Sequence, residues 1–258
     1  MMFHPPVVSL RWIPVWRRNF LVWRKLLGPA LLGNFGEPLL YLLALGYGLG
    51  SFVGEVGGLP YGVFLAAGIV CGSAMNTATF EGLYSAYTRM AHQQTWGGML
   101  ATPLSVDDIV LGEMIWAGTK SLLSVAPILL VAALLGLVHS WAALWVLPVV
   151  LLAGVCFGAL ALVVTALAKS YDFFLYYFTL IVTPMFLFSG VFFPLDGMPI
   201  AVQWGAQVLP LTHAIAIVRP LMTGQPLPHL LPHLLVLLAY GAVAFYLAIG
   251  LLRRRLLA

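Results

Sequence analysis

AHQQTWGGMLATPLSVDDIVLGE, residues 91–113, decides how the chain is read. It is the longest polar interruption in a sequence that is otherwise close to continuous lipid-compatible residues. A Gln pair, a Gly pair, a Thr-Pro break, a Ser-x-Asp-Asp helix start and a Glu succeed one another within it. Ser105 ahead of Val106, Asp107 and Asp108 supplies a hydroxyl cap and two carboxylates where the positive end of a helix dipole favours them. The segment is therefore expected to be a water-exposed elbow that ends in a helix start.

What surrounds the elbow is built for lipid. Hydrophobic residues make up 62% of the 258 residues, charged residues 8%, and the mean hydropathy is +1.02. A soluble domain carries about 25% charged residues, so this chain cannot solvate a globular surface. It reads as an all-α integral membrane protein, and at about 20 residues per crossing its length allows roughly six transmembrane helices. The net charge of +4 comes from clustered Arg and Lys, which is a topology signal and not a nucleic-acid signal. Cys71 and Cys156 lie far apart in apolar stretches and suggest neither a disulfide framework nor a metal site. The basic residues from Arg11 to Lys25 are not followed by a short apolar core with a small-residue cleavage site, so no cleavable leader is expected.

Upstream of the elbow, residues 9–28 are expected to hold an interfacial helix. In PVWRRNFLVWRKLL (14–27) the rings of Trp16, Phe20 and Trp23 share one stripe, with Arg17, Arg18, Arg24 and Lys25 on the other side. That separation predicts rings in the headgroup boundary and cations toward anionic lipid; a plain positive flank would explain the charges but not the separation. A first crossing follows from about Pro29 to Phe52, then a short loop at Glu55 and Gly57-Gly58. A second crossing runs from Tyr61 to about Met90, long enough to project from the membrane. Ser73, Asn76, Thr77, Phe80 and Tyr84 recur on it at helical spacing. A polar and aromatic stripe is costly against lipid. It either lines a translocation path or bonds one helix to the next.

Downstream, no charged residue stands between Lys120 and Lys169. That run holds two crossings joined by a short turn near His139. A fifth, about 173–193, carries Tyr176, Tyr177 and Thr183, which join the candidate path, and Pro184 as a kink. Residues 194–228 are cut by six prolines into pieces that suit re-entrant or interfacial helices, with Thr212 read as the cap of a helix ending before Pro220. A last crossing, about 230–252, closes on Arg253-Arg254-Arg255. With both termini cytoplasmic, the inside receives nearly all the Arg and Lys and the outside only Arg219. Arg219 is either an anchor at the outer surface or a contact for phosphate. Glu37 and Glu81 are read as structural partners of Arg89 or Lys120, not as a proton relay.

Two patterns imitate chemistry. Gly118-Thr-Lys120-Ser121 lacks the Gly directly before Lys and the preceding strand of a phosphate-binding loop, so no nucleotide chemistry is expected of this chain. His229-Leu-Leu-Pro-His233 has zinc-helix spacing but lacks the Glu and contains Pro.

Four segments carry a resemblance to a known family: GNFGEPLLYLLALGYGLG (33–50), MLATPLSVDDIVLGE (99–113), FLFSGVFFPLDGMP (186–199) and LPLTHAIAIVRPLMTGQ (209–225). Together they resemble the membrane subunit of type-2 ABC exporters, and within that class the nodulation-factor, or lipo-oligosaccharide, export permeases. The resemblance implies a homodimer in the bacterial cytoplasmic membrane, each copy with an interfacial helix, six crossings and an extracytoplasmic re-entrant helical hairpin over 194–228 before the last helix. It implies two copies of a separate ATPase that binds ATP and Mg, while this chain binds no cofactor, no metal and no nucleic acid. The ATPase would dock on the elbow, through Leu100, Thr102, Pro103, Leu104, Ser105, Val106, Asp107, Asp108 and Glu113, with Arg17, Arg18 and Arg24 beside it. The cargo would be an amphipathic glycolipid, with a drug or antibiotic as the alternative within the class. A secondary carrier or membrane enzyme would instead work without an ATPase.

Overall fold

The computed structural model describes residues 5–227 and 229–257, with the side chains at 29–35 and 37 outside that description. The expected pairing of Glu37 therefore lies outside the described residues. Among the described residues the regular structure is helical apart from one hairpin of two-residue strands, β1 (Glu55–Val56) against β2 (Leu59–Pro60). Gly57 and Gly58 both take positive φ there, 61° and 74°, the conformation a two-residue hairpin turn demands.

In order, the helices are α1 (Trp12–Lys25), α2 (27–53), α3 (Tyr61–His92), α4 (Thr95–Leu100), α5 (Val106–Leu134), α6 (Trp141–Leu167), α7 (Asp172–Phe188), α8 (Ile200–Val208), α9 (Pro210–Thr223) and α10 (Leu230–Leu257). Four of them, α3, α5, α6 and α10, are long and apolar enough to cross a bilayer. Pro38–Val53 of α2 and Asp172–Phe188 are shorter apolar helices, and α8 and α9 form a pair bent by 90°.

Close approach at small residues sets the packing. On α6, Gly154 and Gly158 face Gly118, Ser121 and Ala117 of α5, so that an added Cβ at Gly154 would stand 2.8 Å from the Ser121 Cβ and 2.9 Å from the Gly118 Cα. Without an aqueous driving force between helices, such backbone-to-backbone contact is a principal source of cohesion in lipid. Two large cores fill the interior, beside a small cluster of Leu59, Val63 and Phe64 under the hairpin. One gathers α3, α5, α6 and α9 around Leu65, Ile69, Met75, Phe157 and Leu211. The other gathers α1, α3, α4, α5, α6, α7 and α10 around Trp96, Ile109, Leu162 and Phe174.

Two local expectations are corrected here. Thr212 does not cap the last helix of the 194–228 region; α9 begins with Pro210, whose fixed φ suits a first turn, and Thr212 lies inside it. Nor does that helix stop before Pro220. It runs through Pro220 to Thr223 and closes on Gly224 at φ 77°, because a proline in the last turn loses a single ladder bond. His233 bonds His213 of α9, Nδ1 to Nδ1 at 2.7 Å, and so ties α10 to the bent pair.

Candidate coupling site and translocation face

The elbow resolves into two parts. After α3 the chain turns at Gln94, which adopts a left-handed φ of 53°, and α4 follows. A loop through Thr102 and Pro103 then leads to Ser105, the N-cap of α5. Its hydroxyl accepts the Asp108 amide at 3.2 Å while the Asp108 carboxylate accepts the Ser105 amide at 2.9 Å, a reciprocal cap. Thr102, Pro103 and Ser105 are exposed and Leu100 and Leu104 half-buried.

The other four residues expected on this surface turn inward. Val106, Asp107, Asp108 and Glu113 are all buried. Asp107 accepts the Val7 amide at 2.9 Å and the Arg253 Nε at 2.8 Å, with Arg253 Nη2 closing a fork. Asp108 accepts the Ser9 hydroxyl at 2.6 Å, and Arg11 donates to the Pro103 carbonyl at 2.9 Å. A strap at the start of the chain and the basic end of α10 thus clasp the first turn of α5. Arg255 donates to the Thr165 and Ala166 carbonyls at 2.8 and 3.1 Å and so caps the last turn of α6.

One and a half turns further along α5 lies a buried ionic cluster. Glu113 accepts Arg89 Nε at 2.9 Å, Asn19 Nδ2 at 3.0 Å and Trp96 Nε1 at 3.1 Å. Glu81 accepts Arg89 Nη2 at 2.8 Å, Lys120 Nζ at 2.7 Å and Trp116 Nε1 at 2.9 Å. Two carboxylates directly pair two cations, half-buried Arg18 adjoins them through Asn19, and the remaining oxygen lone pairs are taken by an amide and two indoles. That is the condition under which a buried charge group is tolerated. The cluster joins α1, α3, α4 and α5.

The backbone of α3 is shaped for this. Residues eight apart on an α-helix differ by about 80° in azimuth, which would turn Arg89 away from Glu81. Glu81–Ser85 and Thr88–His92 are π-helical stretches, whose i→i+5 bonds rotate less per residue, and they return Arg89 to the Glu81 side.

The α1 helix forms where expected, but its rings face the protein. Phe20 and Trp23 meet Trp116 edge-on at 6.4 and 6.2 Å, and Trp16 Nε1 donates to Thr119 at 3.0 Å. Buried Asn19 lies on the same side, and the α5 backbone comes close at Gly112 opposite Val15. The outward apolar residues are Ile13, Leu21 and Val22. Arg17 and Arg24 are exposed and Arg18 half-buried.

The candidate path residues divide. Ser73 and Thr77 are buried, and Thr77 donates to Ser124 of α5 at 3.3 Å, so Thr77 serves helix-to-helix bonding. Asn76 is half-buried beside them. Phe80 and Tyr84 stack at 5.4 Å and continue into a run of rings that sequence reading missed: Phe178 at 4.6 Å from Phe80, Tyr171 at 6.0 Å from Tyr84, and His92 at 5.2 Å from Tyr171. Phe80 is 48% and Tyr176 63% exposed, Thr183 is exposed, and Tyr177 is half-buried between the two cores. Tyr171 and His92 lie in loop-flanking positions with no periodic signal, and nothing local marks Asn19, Trp96 and Trp116 as bonding partners until the helices are packed.

Comparison with known proteins bears directly on this arrangement. The ABC-2 type transporter family model matches residues 12–223, and the chain belongs to that family. It is the membrane permease of such a transporter; nucleotide is bound by a separate ABC ATPase partner, and the chain is a multi-pass membrane protein. Within the family it is a close homologue of Nodulation protein J of Rhizobium leguminosarum bv. trifolii, 51% identical over 252 residues that make up 98% of this chain and 96% of that protein. Nodulation protein J of Rhizobium meliloti (strain 1021) is 47% identical over the same shares of the two chains. The inner membrane transport permease YadH of Escherichia coli (strain K12) is 26% identical over 220 residues, 83% of each chain.

Proposed function

We propose that the chain exports a lipo-oligosaccharide or related amphipathic glycolipid across the bacterial cytoplasmic membrane, as a homodimer driven by two copies of its ATPase. The near-full-length likeness to proteins named for nodulation supports the cargo class, and the aromatic run on α3 and α7 suits it, because ring faces accept both sugar and acyl surfaces. The four long helices, joined by α2 and α7, make six crossings with both termini inside, and the bent pair α8–α9 forms the re-entrant hairpin of the 194–228 region.

The observation that carries the mechanism is the clasped and charge-paired base of α5. The ATPase docks on the exposed part of 91–113, through Leu100, Thr102, Pro103, Leu104 and Ser105, with Arg17 and Arg24 of α1 beside it. Val106, Asp107, Asp108 and Glu113 act one layer below, as the rigid connection from the docking face to α1, α3 and α10. ATP binding favours one arrangement of the dimer through differential affinity, and cargo moves past Phe80, Tyr84, Tyr176 and Thr183.

Proteoliposomes holding the permease and its ATPase test this. ATP-dependent outward movement of a fluorescent lipo-chitooligosaccharide is expected, in preference to a hydrophobic drug. Equal movement by the permease alone would defeat the reading.

A further inference from the structure

Buried charge is balanced at the α5 base and unbalanced at the opposite end of the bundle. Arg219 of α9 is inserted between α3 and the turn after α7. Its guanidinium lies 3.7 Å over the Phe64 ring, and Nη2 donates to the Gly190 carbonyl at 2.6 Å and the Phe64 carbonyl at 3.4 Å. Among the described residues no carboxylate pairs with it, and its buried Nε has no acceptor. The neighbour of Gly190, Ser189, also carries a buried hydroxyl without a partner. So does Thr212, two turns back on α9, and residues seven apart return to within about 20° on a helix.

Arg219, bonded to the Gly190 carbonyl beside Ser189, thus carries a positive charge and an unused donor next to a second unpartnered donor, the Ser189 hydroxyl, with Thr212 a third further back on α9. Carbonyl dipoles and a ring face offset part of the cost of the cation, but the complement of a guanidinium edge is an anionic oxygen pair. The turn is also closed tightly: Gly190 takes a φ of 81°, and a Cβ at Gly68 of α3 would stand 2.7 Å from the Val191 carbonyl oxygen.

We propose that Arg219, with Ser189, forms an oxyanion-binding site that opens when α9 moves away from the turn after α7. It would take the phosphate, sulfate or carboxylate of an amphiphile, either cargo in transit or a lipid headgroup. In the closed state the Gly190 carbonyl and the Phe64 ring hold the place of that anion. The inference rests on the exporter reading, which supplies the reason for the bent pair to move.

The test uses the permease–ATPase complex in phosphatidylcholine nanodiscs, held with a non-hydrolysable ATP analogue, with radiolabelled decyl phosphate as probe. Saturable binding is expected, weakened about tenfold or more by Arg219→Gln and about threefold by Arg219→Lys or Ser189→Ala. Decyl maltoside should bind all four proteins alike. Phosphatidylglycerol in the disc that competes with the probe identifies a lipid headgroup as the anion; absence of competition assigns it to the cargo. Undiminished binding by Arg219→Gln, or its loss in Arg17→Gln instead, overturns the proposal. If Arg219→Gln does not fold, unchanged affinity in both the Lys and Ala variants overturns it equally. Assembly of the complex is read by gel filtration before probe is added. An ATPase that does not associate counts against the exporter reading, and the site is then tested on the permease alone by the same affinities.

Discussion

Glu113→Gln tests whether the ionic cluster is a structural unit. The amide keeps the shape and one carbonyl oxygen, so a single acceptor remains for donors from Arg89, Asn19 and Trp96. The NH2 group meets Arg89 donor to donor, and Arg89 keeps only Glu81, which Lys120 already shares. Removing one partner of a buried pair costs about 3–5 kcal/mol. The conservative replacement and the surviving Glu81 contact place the expected loss near the lower end, about 3 kcal/mol. At about 2–4 °C per kcal/mol for a chain of this size, melting falls by about 6–12 °C. Intrinsic fluorescence also reports it, because two of the eight tryptophans, Trp96 and Trp116, donate into the cluster. The double variant Arg89→Met, Glu113→Leu should melt above Glu113→Gln, since an unpaired buried charge is worse than none. A fall under about 2 °C, or strictly additive single and double variants, would refute the network.

The docking face and the layer beneath it should fail differently. Thr102→Arg with Pro103→Gly leaves melting unchanged and reduces ATPase copurification several-fold, whereas Asp107→Lys sets a second cation against Arg253 in a buried site and prevents stable folding; Asp107→Leu with Arg253→Leu should restore yield. If Asp107→Lys folds normally and only the ATPase is lost, Asp107 belongs to the contact after all. At the α5–α6 seam, Gly154→Val forces the helices apart at Ser121 and Gly118 and should cost about 1–3 kcal/mol or more, read as loss of monodisperse protein.

The elements that depend on local signals were legible in the residues. Hydropathy located the long helices, the Ser105 cap was written in Ser-x-x-Asp, and the spacing of Trp16, Phe20 and Trp23 foretold a two-faced α1. Burial in lipid makes the rest harder, because an apolar residue is equally at home facing the core or the bilayer. The rings of α1 could thus be given to headgroups although Trp116 takes them. Asp107 and Glu113 read as surface acids because their partners, Arg253 and Arg89, are remote in sequence and only packing brings them together. The π stretches of α3 leave no compositional trace, yet they decide that Glu81 and Arg89 share a side.

Both ends of the chain fasten to the first turn of α5: Val7 and Arg253 on Asp107, Ser9 on Asp108, and Arg11 on the Pro103 carbonyl. On the proposed mechanism this decides where motion can occur. A displacement applied at Pro103 meets a capped helix held from two sides, then a paired ionic cluster that binds α1, α3 and α5 together, so the base moves as one body. The yielding points must lie where ladder bonds are already irregular. Among these are the π stretches of α2 (Ala44–Leu49), α3 (Glu81–Ser85 and Thr88–His92) and α7 (Phe178–Val182), and Pro127 within α5, which lacks its own ladder bond. Only the second π turn of α3 reaches the elbow, at its first two residues, and the others lie outside it. The elbow is therefore built to transmit force rather than to bend.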